Sequence, residues 1–153
     1  MPQILSVQGD LFNSGERVIA HGCNTVGVMG AGVAKIVRSK SEQAYKRYKA
    51  VCDARVFHLG YAQFVTDEEI DLCIYNLATQ IAPGPDATSW GIFLSFCNML
   101  EHAKSIGIKR IAIPRIGSGI GGLDWMTECL PAITDAIVQT DSDGKVEIVE
   151  YHL

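Results

Sequence analysis

Two glycine-rich segments carry most of the chemistry this chain could do. The first, Gly22 to Gly32 (GCNTVGVMGAG), leads into Val33 and Ala34 and a helical pattern; the second, Gly117 to Gly122 (GSGIGG), follows a short strand closed by Pro114. Backbone N–H groups at such strand-to-helix junctions can hold a diphosphate, and glycine is wanted there because a side chain would keep the backbone away from the oxygens. One such loop alone reads as a tight turn; two at equivalent junctions point to a bound anion. Neither is a nucleoside-triphosphate P-loop, because Gly27-x-x-x-x-Gly32 is followed by Val33 and Ala34 where lysine and serine or threonine are required. Gly117-x-Gly119-x-x-Gly122 fits the dinucleotide fingerprint, which keeps a Rossmann-type protein as the weaker alternative. Pro114, Arg115 and Ile116 separate that fingerprint from its strand, and too little chain follows for a second half.

Several reactive side chains sit beside these loops. His21 is expected to end a strand at the mouth of the first, where an imidazole can trade protons near neutral pH; the competing reading is a core histidine. Asn24 offers a donor and an acceptor to a hydroxyl or an ordered water, or caps the loop. Cys23 lacks the Cys-x5-Arg spacing of phosphocysteine phosphatases and reads as packing. Arg115 could pair with phosphate or face solvent. Asp124, an acid just past the second loop, reads first as a helix N-cap and second as a carboxylate facing the ligand. Asp10, in the Gly9-Asp10 turn, is by its residue type a turn or cap aspartate. No His/Cys/Asp cluster has metal-ligand spacing, and neither a metal nor a cofactor is expected.

The elements that must position these residues follow from periodicity. Short strands are expected around Ile4 to Val7 and over Arg17 to His21, then a helix from Val33 and a second helix capped by Ser41. Ala62 to Thr66 and Ile70 to Ala78 should form an antiparallel hairpin. Thr88 or Ser89 caps a long helix burying Phe93, Leu94, Cys97, Leu100 and Ala103 and ending at Gly107. Arg110 to Ile113 is a strand. An Asp124-capped helix then reaches about Thr140 with a bend or delay at Pro131, and Val146 to Leu153 is a final strand. This order predicts one α/β domain over residues 1–153: a three-layer α/β/α arrangement around a central mixed sheet, with both glycine loops at the carboxyl ends of strands.

Composition narrows the function classes. A chain of 153 residues can bury roughly two-thirds of its unfolded surface. Thirteen basic against seventeen acidic side chains give a net charge of −4, the wrong sign for a protein that wraps a nucleic-acid backbone. Five cysteines (Cys23, Cys52, Cys73, Cys97 and Cys129), odd in number and never in C-x-x-C spacing, fit free thiols in a reducing compartment. No apolar run reaches membrane-spanning length, so a cytoplasmic protein is expected, monomeric, with neither membrane nor nucleic acid as partner.

Taken together, Gly9-Asp10, His21-Gly22-Cys23-Asn24, Met29 to Ala34, Asn76 to Gln80 and Pro114 to Trp125 resemble, in that order, the motifs of a macrodomain. The resemblance covers nearly the whole chain and is to the small stand-alone branch containing ADP-ribose-1″-phosphate phosphatases and the terminal ADP-ribose protein glycohydrolase. It implies an ADP-ribose cleft formed by Gly9, Asp10, Leu11, Met29, Gly30, Ala31, Gly32, Val33, Ala34, Thr79, Gln80, Pro114, Arg115, Ile116, Gly117, Ser118, Gly119, Ile120 and Gly121. Asp10 would accept from the adenine amino group, and the two loops would flank the diphosphate. A hydrolase acting on ADP-ribose-1″-phosphate or ADP-ribosyl esters is expected, with His21 moving protons, Asn24 orienting the ribose or water, and Asp124 a further candidate. The alternative is a non-catalytic reader of ADP-ribose, free or on a protein. The glycohydrolase's lysine and aspartate match Gln80 and Gly121 here, which speaks against a lysyl intermediate.

Overall fold

The computed structural model describes residues 4–153. Six strands, β1 (Ile4–Gln8), β2 (Val18–Cys23), β3 (Ala62–Asp67), β4 (Leu72–Ala78), β5 (Arg110–Ile113) and β6 (Glu147–His152), form one sheet in the order β1-β6-β5-β2-β4-β3. Only β3 runs antiparallel to its neighbour; every other pair is parallel. That places the carboxyl ends of β2, β4 and β5 side by side, where ligands of such sheets bind.

Helices α1 (Gly32–Lys40) and α2 (Glu42–Asp53) cover one face, and α3 (Ser89–Ile106) and α4 (Leu130–Thr140) the other. Strand alternation produces the two cores. Ile111 and Ile113 join α3 and α4, while Ala112 between them joins Ile19, Ile74, Val37 and Ala44 on the opposite side. The expected three layers are therefore present.

Local chemistry sets the boundaries. Ser41 breaks α1 from α2: its hydroxyl accepts from Ala44 N at 3.1 Å and donates to Asp67 Oδ2 at 2.6 Å, tying the cap to β3. Thr88 caps α3, and Gly107, at φ 80°, ends it in the left-handed conformation that glycine adopts without strain. The buried stripe of α3 is Ile92, Phe96, Met99, Leu100 and Ala103. Phe93 and Leu94, expected inside, are only half-buried, and Phe93 stacks on Trp90 at 5.7 Å. The stripe is thus rotated by about one residue from the expected one. Pro131 delays rather than bends the last helix: lacking an N–H, it loosens the preceding turn, Trp125–Cys129, into i→i+5 geometry before α4 begins.

Candidate functional site

A cleft of about 400 Å³ opens over the carboxyl ends of β2, β4 and β5. Gly22 and Cys23 of β2, Thr79 after β4, and Pro114 and Ile116 after β5 line its base, while Gly30 to Ala34 and Gly117 to Gly121 line its two sides. Both segments singled out in the sequence therefore face the same space. The first enters α1 through Ala31, whose side chain cannot cap a helix, so the first-turn N–H groups have no side-chain acceptor. The second does not lead directly into a helix end as expected. Gly119–Gly121 forms a 3-10 turn, and the helix beyond starts only after Asp124, so what this side offers the cleft is loop amides.

The two loops touch. Gly32 has φ 60°, and a Cβ added to it would lie 2.9 Å from Ile120 Cδ1. Only a glycine lets α1 begin this close to the opposite loop.

Asn24 holds the first loop in shape. Its Oδ1 accepts from Val26 N (3.1 Å) and Val28 N (3.2 Å), its Nδ2 donates to Val28 O (2.7 Å), and the buried Tyr48 hydroxyl lies 2.7 Å from Oδ1. Both readings of this residue meet here: it caps the loop and also lines the cleft, with one amide hydrogen left to donate. Met29, expected to line the site, is 1% exposed and packs with Tyr48 and Phe57, anchoring the loop from beneath.

His21 is not at a strand end. β2 runs two residues further, to Cys23, so His21 pairs across the sheet with Asn76 of β4, and both are fully buried. Its Nε2–H donates to Asn76 Oδ1 at 2.6 Å, while Asn76 Nδ2 donates to Gln63 Oε1 at 3.0 Å. Burial disfavours the imidazolium and lowers the His21 pKa to about 4, only partly opposed by the Asn76 contact. The side chain is a neutral member of a buried network, with no surface on the cleft. Cys23 does line the cleft, but burial pushes its thiol well above the ordinary range, so it stays protonated.

A family model described as Macro domain matches residues 20–129. The chain belongs to the Macro domain family. Among sequence relatives, an ADP-ribose 1″-phosphate phosphatase of Aspergillus oryzae is 36% identical, with 80% of the macrodomain and 84% of that protein covered. A DNA ADP-ribosyl transferase–DNA ADP-ribosyl glycohydrolase fusion protein of Thermosipho africanus is 29% identical over 78% of this chain; the chain spans only 35% of its length. The structure of Thermosipho africanus DarTG in complex with ADP-ribose superposes with a TM-score of 0.81 at 23% identity, over 96% of this chain and 41% of that one.

The remaining expected residues of the macrodomain divide into those on the cleft and those beside it. Gln80 lines it, its Nε2 donating to Ala82 O (2.6 Å) and Gly84 O (2.9 Å) and so bracing the Pro83-Gly84 turn. Gly121 is packed so closely that an added Cβ would sit 3.0 Å from Ala87 Cβ. Asp124 lies off the cleft, its Oδ2 accepting from Thr127 N (2.8 Å) and Thr127 Oγ1 (2.7 Å), which holds its carboxyl below the ordinary range. That is the N-cap reading. Gly9, Asp10 and Leu11 also lie off this cavity. Gly9 N donates to His152 O, Asp10 caps a short turn by accepting from Phe12 N at 3.0 Å, and Leu11 is buried against Val37. Gly22, Cys23 and Val28 line the cleft as part of the first glycine-rich segment, although the resemblance did not assign them to it one by one; Pro83 and Gly84 were missed as lining residues, and the Pro-Gly pair was the available signal for them.

Proposed function

We propose that this macrodomain binds ADP-ribose and hydrolyses a phosphate or an ester at its distal ribose. The observation that carries the reading is the pair of glycine loops facing each other across one cleft, with the first turn of α1 uncapped toward it. A net-acidic chain can hold a diphosphate in this way because oriented N–H dipoles supply the positive potential. The phosphatase name of the Aspergillus relative and the ADP-ribose bound by the Thermosipho structure support the same ligand. In the reaction, water attacks the phosphorus or acyl carbon and the bond to the ribose oxygen breaks. Loop amides would stabilise the charge that develops, and the remaining Asn24 amide hydrogen and Gln80 Oε1 would orient the ribose and the water. Its five free thiols support a reducing, cytoplasmic setting. No helix among the described residues is long and apolar enough to cross a membrane.

One observation favours a second reading, a reader without turnover. Cys23 and Arg115 are the only ionisable side chains among the described residues lining the cleft, so no carboxylate or imidazole stands ready as general base. Calorimetric binding of ADP-ribose, run beside phosphate release from ADP-ribose-1″-phosphate and cleavage of an ADP-ribosyl ester, separates the two. Binding with turnover supports the hydrolase, binding alone supports the reader, and no binding at millimolar ligand defeats both.

Two substitutions test the residues beside the cleft. Asp124→Ala is expected to lower the urea midpoint through loss of its cap, with Asp124→Asn close to the unaltered protein, while leaving ADP-ribose affinity unchanged; urea unfolding and calorimetry check the two halves. Asp10 uses one lone pair of each oxygen in its turn, by Oδ1 to Phe12 N and by Oδ2 to Asn13 Nδ2, and keeps others free for an adenine amino group. Asp10→Asn, which preserves the cap and removes the charge, should weaken ADP-ribose by about 1 kcal/mol. An unchanged Kd would remove Asp10 from the proposed site.

A further inference from the structure

Among the described residues lining the cleft, Arg115 is the only one whose side chain carries a charge at neutral pH. It stands just after β5, yet it is not a loose surface arginine. Its Nε donates to Glu150 Oε1 at 3.0 Å, and its guanidinium carbon lies 5.8 Å from the Trp125 ring centroid. Glu150, from β6, is 2% exposed and is itself immobilised: Ser6 Oγ donates to the same oxygen at 3.2 Å and His152 Nδ1 to the other at 2.7 Å. Two strands, β1 and β6, and the turn after the second glycine loop thus hold one guanidinium fork. No protein acceptor among the described residues meets its two Nη atoms.

We propose that Arg115 gives the cleft its preference for anionic ligands and that Glu150 is its positioning residue. The inference rests on the ADP-ribose reading above and adds to it a side-chain determinant. Loop amides can bind a diphosphate, but amides alone also accept neutral oxygen-rich ligands; a fixed guanidinium discriminates by charge and offers paired donors to phosphate oxygens. Glu150 has two possible effects of opposite sign. As a counter-charge it subtracts from the attraction Arg115 exerts on an anion. As a tether it fixes the guanidinium against β6 and Trp125, instead of letting a flexible, half-exposed side chain swing into solvent. The bonds fixing Glu150 on both oxygens favour the tether.

The test is ADP-ribose affinity by calorimetry at 50 and 500 mM NaCl, with melting temperature as a check of fold. Arg115→Gln should weaken binding about tenfold at low salt, and the gap to the unaltered protein should narrow at high salt, where the Debye length falls toward about 4 Å. Glu150→Ala should weaken binding about fivefold although it removes a negative charge, whereas Glu150→Gln, which keeps an oxygen for Arg115 Nε, should stay within about twofold. Tighter binding by Glu150→Ala would make the carboxylate a mere counter-charge and overturn the positioning role. Unchanged affinity in Arg115→Gln would overturn the whole inference while leaving the ADP-ribose reading intact, and failure of the unaltered protein to bind would defeat both. Should Glu150→Ala not fold, Arg115→Lys decides. It keeps the charge without the Nε–H, so it should lose most of what Arg115→Gln loses, and full retention would sink the tether.

Discussion

Gly32→Val is expected to reduce ADP-ribose affinity at least about a hundredfold, or roughly 2.7 kcal/mol, with the fold retained. Three effects combine at this position. The backbone sits at φ 60°, a region in which a β-branched residue is strained. The added carbons meet Ile120 Cδ1, which must move. They also project where the ligand's oxygens would approach the first amides of α1, so the donors remain but their acceptor is held off. Because Ile120 is half-exposed and flexible at its end, the clash can be relieved without opening the core. Circular dichroism and melting should therefore show a folded protein, and calorimetry should show the lost affinity. A folded Gly32→Val protein with unaltered Kd would reduce the first glycine loop to a turn.

Acid should unfold this protein earlier than its carboxylates alone would dictate. With a pKa near 4 in the folded state against about 6.5 in an unfolded chain, His21 is neutral when folded and binds a proton on unfolding. Its contribution is complete above about pH 6.5 and is lost as pH falls toward 4, amounting to about 3 kcal/mol in full. The carboxyls of Glu16, Asp124 and Asp143 are all held low, so their losses come at more acid pH and leave pH 6.5 to 5 as the diagnostic window. Urea titrations across that window should show a slope in the parent protein that is much flatter in His21→Gln, whose amide can still donate to Asn76 Oδ1. Equal slopes would mean that the imidazole titrates freely, contrary to its enclosure.

The helices, the antiparallel hairpin and both glycine loops were legible because each has a local cause: Ser41 and Thr88 as caps, Gly107 as a stop, and the near-continuous apolar run from Leu72 to Ala78 that marks a strand buried on both faces. His21 was misplaced because its fate is decided by a partner fifty-five residues away. Nothing within its own segment says that Asn76 lies opposite it, or that β2 continues through Gly22 into the glycine-rich run. Asp124 was legible as a cap for the contrary reason, since Thr127 is three residues on. The role of Glu150 had no signal either, because a glutamate in a terminal strand looks solvent-facing until the β1-β6-β5 order brings Ser6 and Arg115 to it. Sequence pattern thus located the walls of the cleft better than the contacts behind them.

Ile120 spans the gap between the glycine loops with a single side chain, 51% exposed. An exposed side chain changes rotamer in picoseconds to nanoseconds, whereas a loop or domain needs nanoseconds to milliseconds. Relieving the contact between the two loops therefore takes a rotamer change and no backbone movement, and stopped-flow mixing with ADP-ribose is expected to show a single association phase whose rate rises linearly with ligand, without a slow opening step.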